Sequence, residues 1–336
     1  MTLPYTSAAA LGRTELTFRS GADRCHAWHF PAVSDELAGP RGRPVAIMAH
    51  GFGGTKDSGL ESFARAYAAA GIDVLAFDFR HLGESGGTPR QRVRMAEQLA
   101  DYRAAITAAA GLPGVDSRRV VLWGVSLSGG HVLAAAAAAT AERPTGDTAA
   151  ALAAVVSATP LVDGAAAALW ALRHGGPSAT LRGAYATLRG RIGARTGGDG
   201  LIPLVGPPTT GAALGLDGYL ESYRALAGPT WRNDIDSGVL AQLLRYRPAR
   251  AAARIRLPLL VQIADFDRAA PPDAAARAAF AARAEVRHYP CDHFGIWPGN
   301  SFFDSAVAHQ LMFLRRHVVE PADPPTAGPS APTALG

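Results

Sequence analysis

The sequence predicts an α/β fold in which a mostly parallel sheet carries helices on both faces. Two observations predict this class. Continuous apolar runs, which are typical of strands buried in a parallel sheet, recur along the chain. Helical patterns lie between several of these runs. Strands that alternate with helices form right-handed crossover units, and such units build an open, doubly wound sheet.

Eight strands and four helices are predicted. The first two strands, 14–20 and 25–30, alternate polar and apolar residues across a Gly-Ala-Asp turn and should form an antiparallel edge. The remaining strands are predicted at 45–49, 74–77, 120–123, 152–156, 259–263 and 285–289. The helices are predicted at 57–70, 91–110, 127–141 and 302–318.

The regular alternation stops between residues 161 and 250, where Gly, Arg and Pro interrupt short helical stretches. We interpret 161–250 as a helical cap over the carboxyl edge of the sheet. The core then comprises residues 1–160 and 251–318. Residues 319–336 are rich in Pro and Ala and are predicted to be a disordered tail.

Composition limits the function classes. The chain has 336 residues, of which 48% are hydrophobic and 18% charged, as in a globular protein with a sizeable core. The net charge is +5, but the basic residues are scattered, so no nucleic acid is predicted as a partner. No apolar run of membrane-spanning length and no export leader is seen, which predicts a cytoplasmic protein without a membrane partner. Cys25 and Cys291 are isolated, so neither a disulfide nor a metal site is expected.

A strand-to-helix turn is predicted around Ser126. The segment Gly124–Gly130, "GVSLSGG", follows the apolar run 120–123 and precedes the alanine-rich helix 127–141. Small residues on both sides of a serine allow such a tight turn, since larger side chains would collide with neighbouring backbone. The turn exposes the serine hydroxyl. Ser126 is therefore the candidate nucleophile.

A serine hydroxyl needs a neighbouring base, and the base needs an acidic partner. Asp265 and Asp267 follow the strand 259–263, and His293 follows the next strand. Because such loops gather at one edge of a doubly wound sheet, we expect Ser126, Asp267 and His293 to form a triad. Asp265 and Asp163 remain alternative acids.

Five segments of the chain, over roughly residues 12–318, resemble the α/β-hydrolase family. They are Ala49–Asp57 ("AHGFGGTKD"), Phe77–Gly87 ("FDFRHLGESGG"), Trp123–Gly130 ("WGVSLSGG"), Ala264–Pro272 ("ADFDRAAPP") and Asp292–Trp297 ("DHFGIW"). The order Ser, Asp, His is also that of the family. The resemblance implies that the backbone N–H groups of Phe52 and Leu127 form an oxyanion hole. One departure is Ser128, where the family more often has glycine.

A subgroup of the family is indicated by further segments. The stretches "HGFGGTKD", "PLVDG" (Pro160–Gly164) and "WRNDI" (Trp231–Ile235) resemble dienelactone-hydrolase-like and dipeptidyl-peptidase-like proteins and the polyketide transferases and thiohydrolases of biosynthetic clusters. We therefore predict a serine hydrolase that cleaves a small-molecule ester or thioester, including polyketides, through an acyl-Ser126 intermediate in secondary metabolism. No metal or organic cofactor is required.

Two other functions stay open. The same triad could catalyse acyl transfer, or the elimination of a carboxylate such as acetate, on a polyketide-type product. Alternatively, the fold could serve as a binding module without turnover. The oligomeric state is left open.

Several residues near the motifs are given structural roles. His50, Arg80 and His81 are interpreted as structural, Cys291 as a packed small residue and Asp292 as a loop-capping neighbour of His293. Five aromatic residues of the cap either line an acyl pocket or hold the cap together: Trp170, Tyr185, Tyr219, Tyr223 and Trp231.

Overall fold

The computed structural model describes residues 12–141, 150–195 and 200–319. The predicted disordered tail lies, from residue 320 onward, outside the described residues.

The strands are β1 (Thr14–Ser20), β2 (Asp23–Phe30), β3 (Arg43–Ala49), β4 (Asp73–Phe77), β5 (Val115–Val125), β6 (Leu152–Ala158), β7 (Leu201–Ile202), β8 (Val205–Gly206), β9 (Leu214–Gly215), β10 (Ile235–Asp236), β11 (Leu259–Ala264) and β12 (Glu285–Tyr289). Eight of these form the main sheet in the order β1-β2-β4-β3-β5-β6-β11-β12. The pairs β1/β2 and β2/β4 are antiparallel, and every other neighbouring pair in this sheet is parallel. The predicted mostly parallel sheet is confirmed.

Each of the eight predicted strands lies within or overlaps an observed one. The largest difference is in β5, which begins at Val115 and not at residue 120. Its polar start, "VDSRR", lacks an apolar pattern, but Val115 pairs with Arg43 across a register irregularity in β3. Backbone pairing, and not an apolar pattern, makes these residues a strand, since its buried members, Asp116 and Arg119, are polar.

The helices are α1 (Leu60–Ala69), α2 (Met95–Ala110), α3 (Leu127–Ala141), α4 (Gly164–Arg195), α5 (Tyr219–Leu226), α6 (Val239–Leu243), α7 (Pro272–Ala282) and α8 (Phe303–His317), and a short 3-10 helix spans Pro248–Arg254. Helices α1 and α8 contact each other and the sheet, whereas α2, α3 and α7 form a second layer joined through the 3-10 helix. Within the part of the chain that the structure describes, no helix is long and apolar enough to cross a lipid bilayer.

Helix α7 was not predicted. It begins at Pro272, in the first helical turn, where the missing N–H of proline costs nothing. Its buried face consists of alanines such as Ala274, Ala275 and Ala278, whereas its one bulky apolar residue, Phe280, is exposed, so the sequence shows no bulky apolar stripe there.

Residues 161–250, called the insertion from here on, lie between β6 and β11. The prediction of short helical stretches is wrong for its first part, since α4 is a single helix of 32 residues with Pro177 inside it. Small residues face inward from this helix. A side chain at Gly190 would lie 2.9 Å from Ser237, and one at Gly211 would lie 3.0 Å from Ala186. Bulky residues face outward, as shown by Leu181, which is 71% exposed.

Candidate active site

Ser126 lies in the sharp turn between β5 and α3. Its φ is 57°, in the left-handed region that side chains other than glycine rarely adopt. The Ser126 amide donates to the Ala158 carbonyl at 2.9 Å, and its own carbonyl accepts from the Leu161 amide at 2.9 Å. At Gly124, a Cβ would lie 2.3 Å from the Ser128 carbonyl oxygen. The turn therefore needs the small residue that the sequence has there, and β6 with its following loop holds the turn in place.

Ser128 does more than fit the turn. Its hydroxyl accepts from the Val125 amide at 2.8 Å and lies 2.8 Å from the Ala49 carbonyl, to which it donates. It thereby ties the turn to the end of β3. The sequence indicated only that Ser128 is small, because its partners come from a strand almost eighty residues away.

Asp267 and His293 are in direct contact. His293 Nδ1 lies 2.6 Å from Asp267 Oδ2, and both side chains are buried. The other carboxylate oxygen, Oδ1, accepts from the amides of Ala269 at 2.8 Å and Ala270 at 2.7 Å. Because both oxygens are engaged, the carboxylate holds the imidazole ring in one orientation and leaves its Nε2 for other chemistry.

The surroundings of His293 favour its charged form. Burial by itself would lower the pKa of His293, but the charge of Asp267 and its hydrogen bond oppose this, and Asp292 adds to them. The net result is a pKa raised above the usual 6.5.

The two alternative acids have other partners. Asp265 Oδ1 lies 2.6 Å from His288 Nδ1 at the protein surface. Asp163 caps α4 by accepting from the amides of Ala165 and Ala166, both at 3.0 Å. Within the described residues, no hydrogen bond joins either carboxylate to His293.

Ser126 shares a sheet edge with this pair. Strands β5, β6, β11 and β12 are parallel neighbours, so the turn after β5 and the loops after β11 and β12 all lie at their carboxyl ends. The structure thus brings Asp267 and His293 into contact and places Ser126 at the same edge.

The backbone around Phe52 passes close to Ser126. A side chain at Gly51 would lie 2.8 Å from Ser126 Cβ, so only glycine permits this approach. Leu127 is the first residue of α3, and the first amides of a helix have no partner inside it. The N–H groups proposed for an oxyanion hole therefore belong to two segments that flank Ser126.

His50 supports the loop that carries Phe52. Its Nε2 donates to the Ser58 carbonyl at 2.9 Å, and its ring stacks on Trp297 at 4.8 Å between centroids. Burial lowers the pKa of His50 to about 4, so the ring is neutral at physiological pH. Gly54 lies against the ring, where a Cβ would be 1.8 Å from Nδ1.

Lys56 stabilises the same loop through hydrogen bonds to two carboxylates. It is the only lysine in the chain, and its side chain is fully buried. Its Nζ donates to Asp78 at 2.8 Å and to Glu84 at 2.5 Å, and its backbone amide donates to Asp78 at 2.6 Å. The sequence analysis gave Lys56 no role, although one lysine among 33 basic residues was a usable signal.

Three aromatic residues of the insertion reach the site loops. Trp170 Nε1 donates to the Asp267 carbonyl at 2.7 Å, and the Tyr223 hydroxyl donates to the Phe52 carbonyl at 2.9 Å. The Tyr219 hydroxyl donates to Asp292 at 2.7 Å, and its ring lies nearly parallel to that of His293 at 6.3 Å. Trp231 stacks on Tyr223, whereas Tyr185 is 67% exposed. The first three therefore link the insertion to the site.

The loop before His293 contains two ionisable residues. Burial, with Asp267, Asp292 and Asp265 nearby, raises the pKa of Cys291 to about 11, so its thiol stays protonated. Burial alone would raise the pKa of Asp292, but hydrogen bonds from Tyr219, His293 and Arg268 outweigh it and lower the pKa. Asp292 is therefore an ionised carboxylate beside the histidine. Across the described ranges, no group of three His, Cys, Asp or Glu side chains is placed to hold a metal ion.

Comparisons with known proteins agree with this architecture. The family model for the alpha/beta hydrolase fold matches residues 44–300. The quorum-quenching protein AidA of Acinetobacter baumannii is 33% identical over 308 residues, which cover 90% of this chain and 95% of that protein. The thiohydrolase aneE of Aspergillus aculeatus is 43% identical over 93 residues, covering 28% of this chain and 29% of its own length.

A solved structure also matches. The crystal structure of the alpha/beta hydrolase GrgF from Penicillium sp. sh18 superposes with a TM-score of 0.71 at 24% identity, covering 92% of this chain and 99% of that one. The match to the family model spans most of the chain, and the AidA match covers nearly all of both proteins. The chain therefore belongs to the alpha/beta hydrolase fold family.

Proposed function

We propose that this protein is a serine hydrolase that cleaves an ester or thioester through an acyl-Ser126 intermediate. The observation that carries the proposal is the buried contact of 2.6 Å between His293 and Asp267, at the sheet edge where a left-handed turn presents Ser126. A buried, oriented histidine beside a serine in such a turn is the arrangement that activates a hydroxyl.

The proposed reaction has two halves. In the first, Ser126 Oγ attacks the substrate carbonyl carbon while His293 Nε2 accepts the hydroxyl proton. The amides of Phe52 and Leu127 stabilise the resulting oxyanion, and Asp267 stabilises the imidazolium. The alcohol or thiol then leaves with the proton from His293. In the second half, His293 removes a proton from water as the water oxygen attacks the acyl carbon, and then returns that proton to Ser126 Oγ as the bond to the acyl group breaks and the carboxylic acid leaves.

The proposed base requires a neutral His293. Since the pKa of His293 is raised above 6.5, the fraction of neutral imidazole declines as the pH falls through that raised pKa. We expect kcat/KM to fall tenfold per pH unit on the acidic side of its pH profile, called the acid limb from here on. The limb lies at a higher pH than it would for an unperturbed histidine.

We infer that the insertion acts as a cap on a core formed by residues 1–160 and 251–318. Its support comes from the contacts of Trp170, Tyr219 and Tyr223 with the loops of Asp267, Asp292 and Phe52. The names of the thiohydrolase relatives favour a small thioester as the substrate, and the name of the polyketide transferase grgF favours one of polyketide type. The cytoplasmic location stays a prediction.

Acyl transfer is a second candidate. His293 is only 4% exposed, so bulk water has limited access to the proposed base. Relatives named as an acyltransferase and a polyketide transferase match 28% and 39% of the chain. In this alternative, an alcohol or thiol acceptor takes the place of water in the second half of the reaction.

A panel of p-nitrophenyl esters and acyl thioesters tests the proposal. We expect the wild-type protein to release p-nitrophenol or thiol and to show an acyl adduct by intact mass, and Ser126→Ala to show neither. Ser305→Ala, an exposed serine in α8, is the matched control and should behave as wild type. Equal turnover by Ser126→Ala would overturn the proposal. Addition of an alcohol or thiol acceptor separates transfer from hydrolysis by the product formed.

A further inference from the structure

Asp292, the residue before His293, accepts hydrogen bonds from three parts of the chain. The Tyr219 hydroxyl in α5 donates at 2.7 Å, and the His293 amide donates at 2.8 Å. Arg268 donates twice, from its amide at 3.0 Å and from Nε at 2.6 Å. The insertion, the loop after β11 and the loop after β12 therefore meet at this one carboxylate.

Two parallel contacts join the loops after β11 and β12. Asp267 contacts His293 at 2.6 Å, and the next residue, Arg268, contacts the preceding residue, Asp292, also at 2.6 Å. In the first contact the carboxylate, that of Asp267, lies on the loop after β11. In the second contact the carboxylate, that of Asp292, lies on the loop after β12. A displacement of either loop would stretch both contacts, so the second one restrains the ring of His293.

The charges near His293 can be counted from its neighbours. Tyr219 and Cys291 have raised pKa values and are neutral, and the lowered pKa of His50 makes that ring neutral as well. Among the described residues, the charged groups that remain around His293 are the carboxylates of Asp267 and Asp292 and, bonded to Asp292, the guanidinium of Arg268. Arg268 also lies 5.0 Å over the ring of Tyr219, which keeps this cation against the insertion.

We propose that Asp292 is a positioning residue for His293: it locks the loop of the base to the loop of Asp267 and to the insertion. This inference rests on the proposed function, because His293 must be the base for its position to matter. The Asp292 charge also favours the imidazolium form of His293, and Arg268 opposes it. Asp292 therefore influences both where the base lies and the pH at which it becomes active.

The pH dependence of kcat/KM tests this proposal with four variants. Asp292→Asn keeps the size of the side chain but removes the charge, so the acid limb should move down by about half a pH unit. Its kcat/KM at the pH optimum should fall about tenfold, since the ring is held less firmly. Asp292→Glu keeps the charge and should leave the limb near its wild-type position.

Arg268→Gln removes a positive charge, whereas Asp292→Asn removes a negative one. It removes the cation beside Asp292, so the acid limb should move up in pH. Its side chain is 36% exposed, so we expect the variant to fold. Asp265→Asn is the matched control, because Asp265 follows the same strand but pairs with His288 at the surface. It should leave the limb and kcat/KM unchanged.

Opposite movements of the limb in Asp292→Asn and Arg268→Gln would support the proposal. Limbs that coincide with wild type in both variants would overturn it, as would an equal shift in Asp265→Asn. If Asp292→Asn does not fold, the direction of the shift in Arg268→Gln decides alone. Failure of the proposed function shows itself separately, as full activity of Ser126→Ala or of His293→Ala.

Discussion

The core sheet and helix α4 of the insertion pack in opposite ways. In the core, bulky side chains such as Leu122 and Trp123 are fully buried between the two helical layers. In α4 of the insertion, Gly190 and Ala186 face inward, whereas Leu181 and Tyr185 are about two-thirds exposed. The core is therefore stabilised mainly by apolar packing, to which other parts of the insertion add buried residues such as Leu204, Ile235 and Val239, whereas the second half of α4 turns small residues inward.

This difference assigns separate tasks to the two regions. The proposed acid, base and nucleophile all belong to the core, where neighbouring strands fix the loops that carry them. The residues that reach these loops from the insertion, Trp170, Tyr219 and Tyr223, make single hydrogen bonds. Substitutions in the core should consequently have larger effects than equivalent ones in the insertion.

The largest contrast is expected in activity, between Asp267 and Trp170. Asp267→Asn should lower kcat by about 10⁴-fold, because an amide no longer holds the correct tautomer of His293. Trp170→Phe, which removes the hydrogen bond to the Asp267 carbonyl, should lower kcat/KM only about fivefold. Steady-state kinetics on the best ester of the panel measures both. A loss in Trp170→Phe as large as that in Asp267→Asn would mean that the insertion supplies part of the catalytic machinery.

The next contrast concerns ion pairs and stability. Lys56→Met leaves Asp78 buried without its partner and should lower the free energy of unfolding by about 3–5 kcal/mol. Arg232→Gln removes a more exposed pair with Asp234 in the insertion, at 2.8 Å, and should cost no more than about 0.5 kcal/mol. Urea denaturation measures both values. Similar costs for the two variants would contradict the expectation that burial sets the cost of losing an ion pair.

The smallest contrast compares two leucines. Leu122→Ala in β5 should cost about 3 kcal/mol, because the cavity it leaves is surrounded by packed side chains. Leu181→Ala in α4 should change the free energy of unfolding by less than about 0.5 kcal/mol. The same urea experiment tests this pair. A large cost for Leu181→Ala would show that the outer face of α4 is covered in solution.

Much of the core was predictable because its patterns are local. A buried parallel strand needs a continuous apolar run, and the five such runs identified in the sequence, at 45–49, 74–77, 120–123, 152–156 and 259–263, all fall on strands of the main sheet. The turn at Ser126 was visible from its small residues for the same reason. Where local patterns were weak, as in the polar start of β5 and the alanine-rich α7, the predictions were incomplete.

Helix α4 of the insertion was less predictable because its bulky apolar residues do not mark its buried face. Sequence patterns are read on the rule that bulky apolar residues face the interior. Helix α4 reverses this rule over its second half, and Pro177 gave a false signal of a helix end. The sequence therefore indicated where the regular core stops but not that a single long helix begins the insertion.

By itself, the sequence determined the class of fold, the order of the strands along the chain and the candidates Ser126, Asp267 and His293. Only the tertiary structure decided which aspartate contacts His293, that Asp292 joins three segments, and that Lys56 lies under the loop of Phe52. The physical reason is the distance along the sequence over which each kind of information acts. Periodicity and turn residues report the environment of a few neighbouring residues, whereas these contacts depend on which distant loops meet at the edge of the sheet.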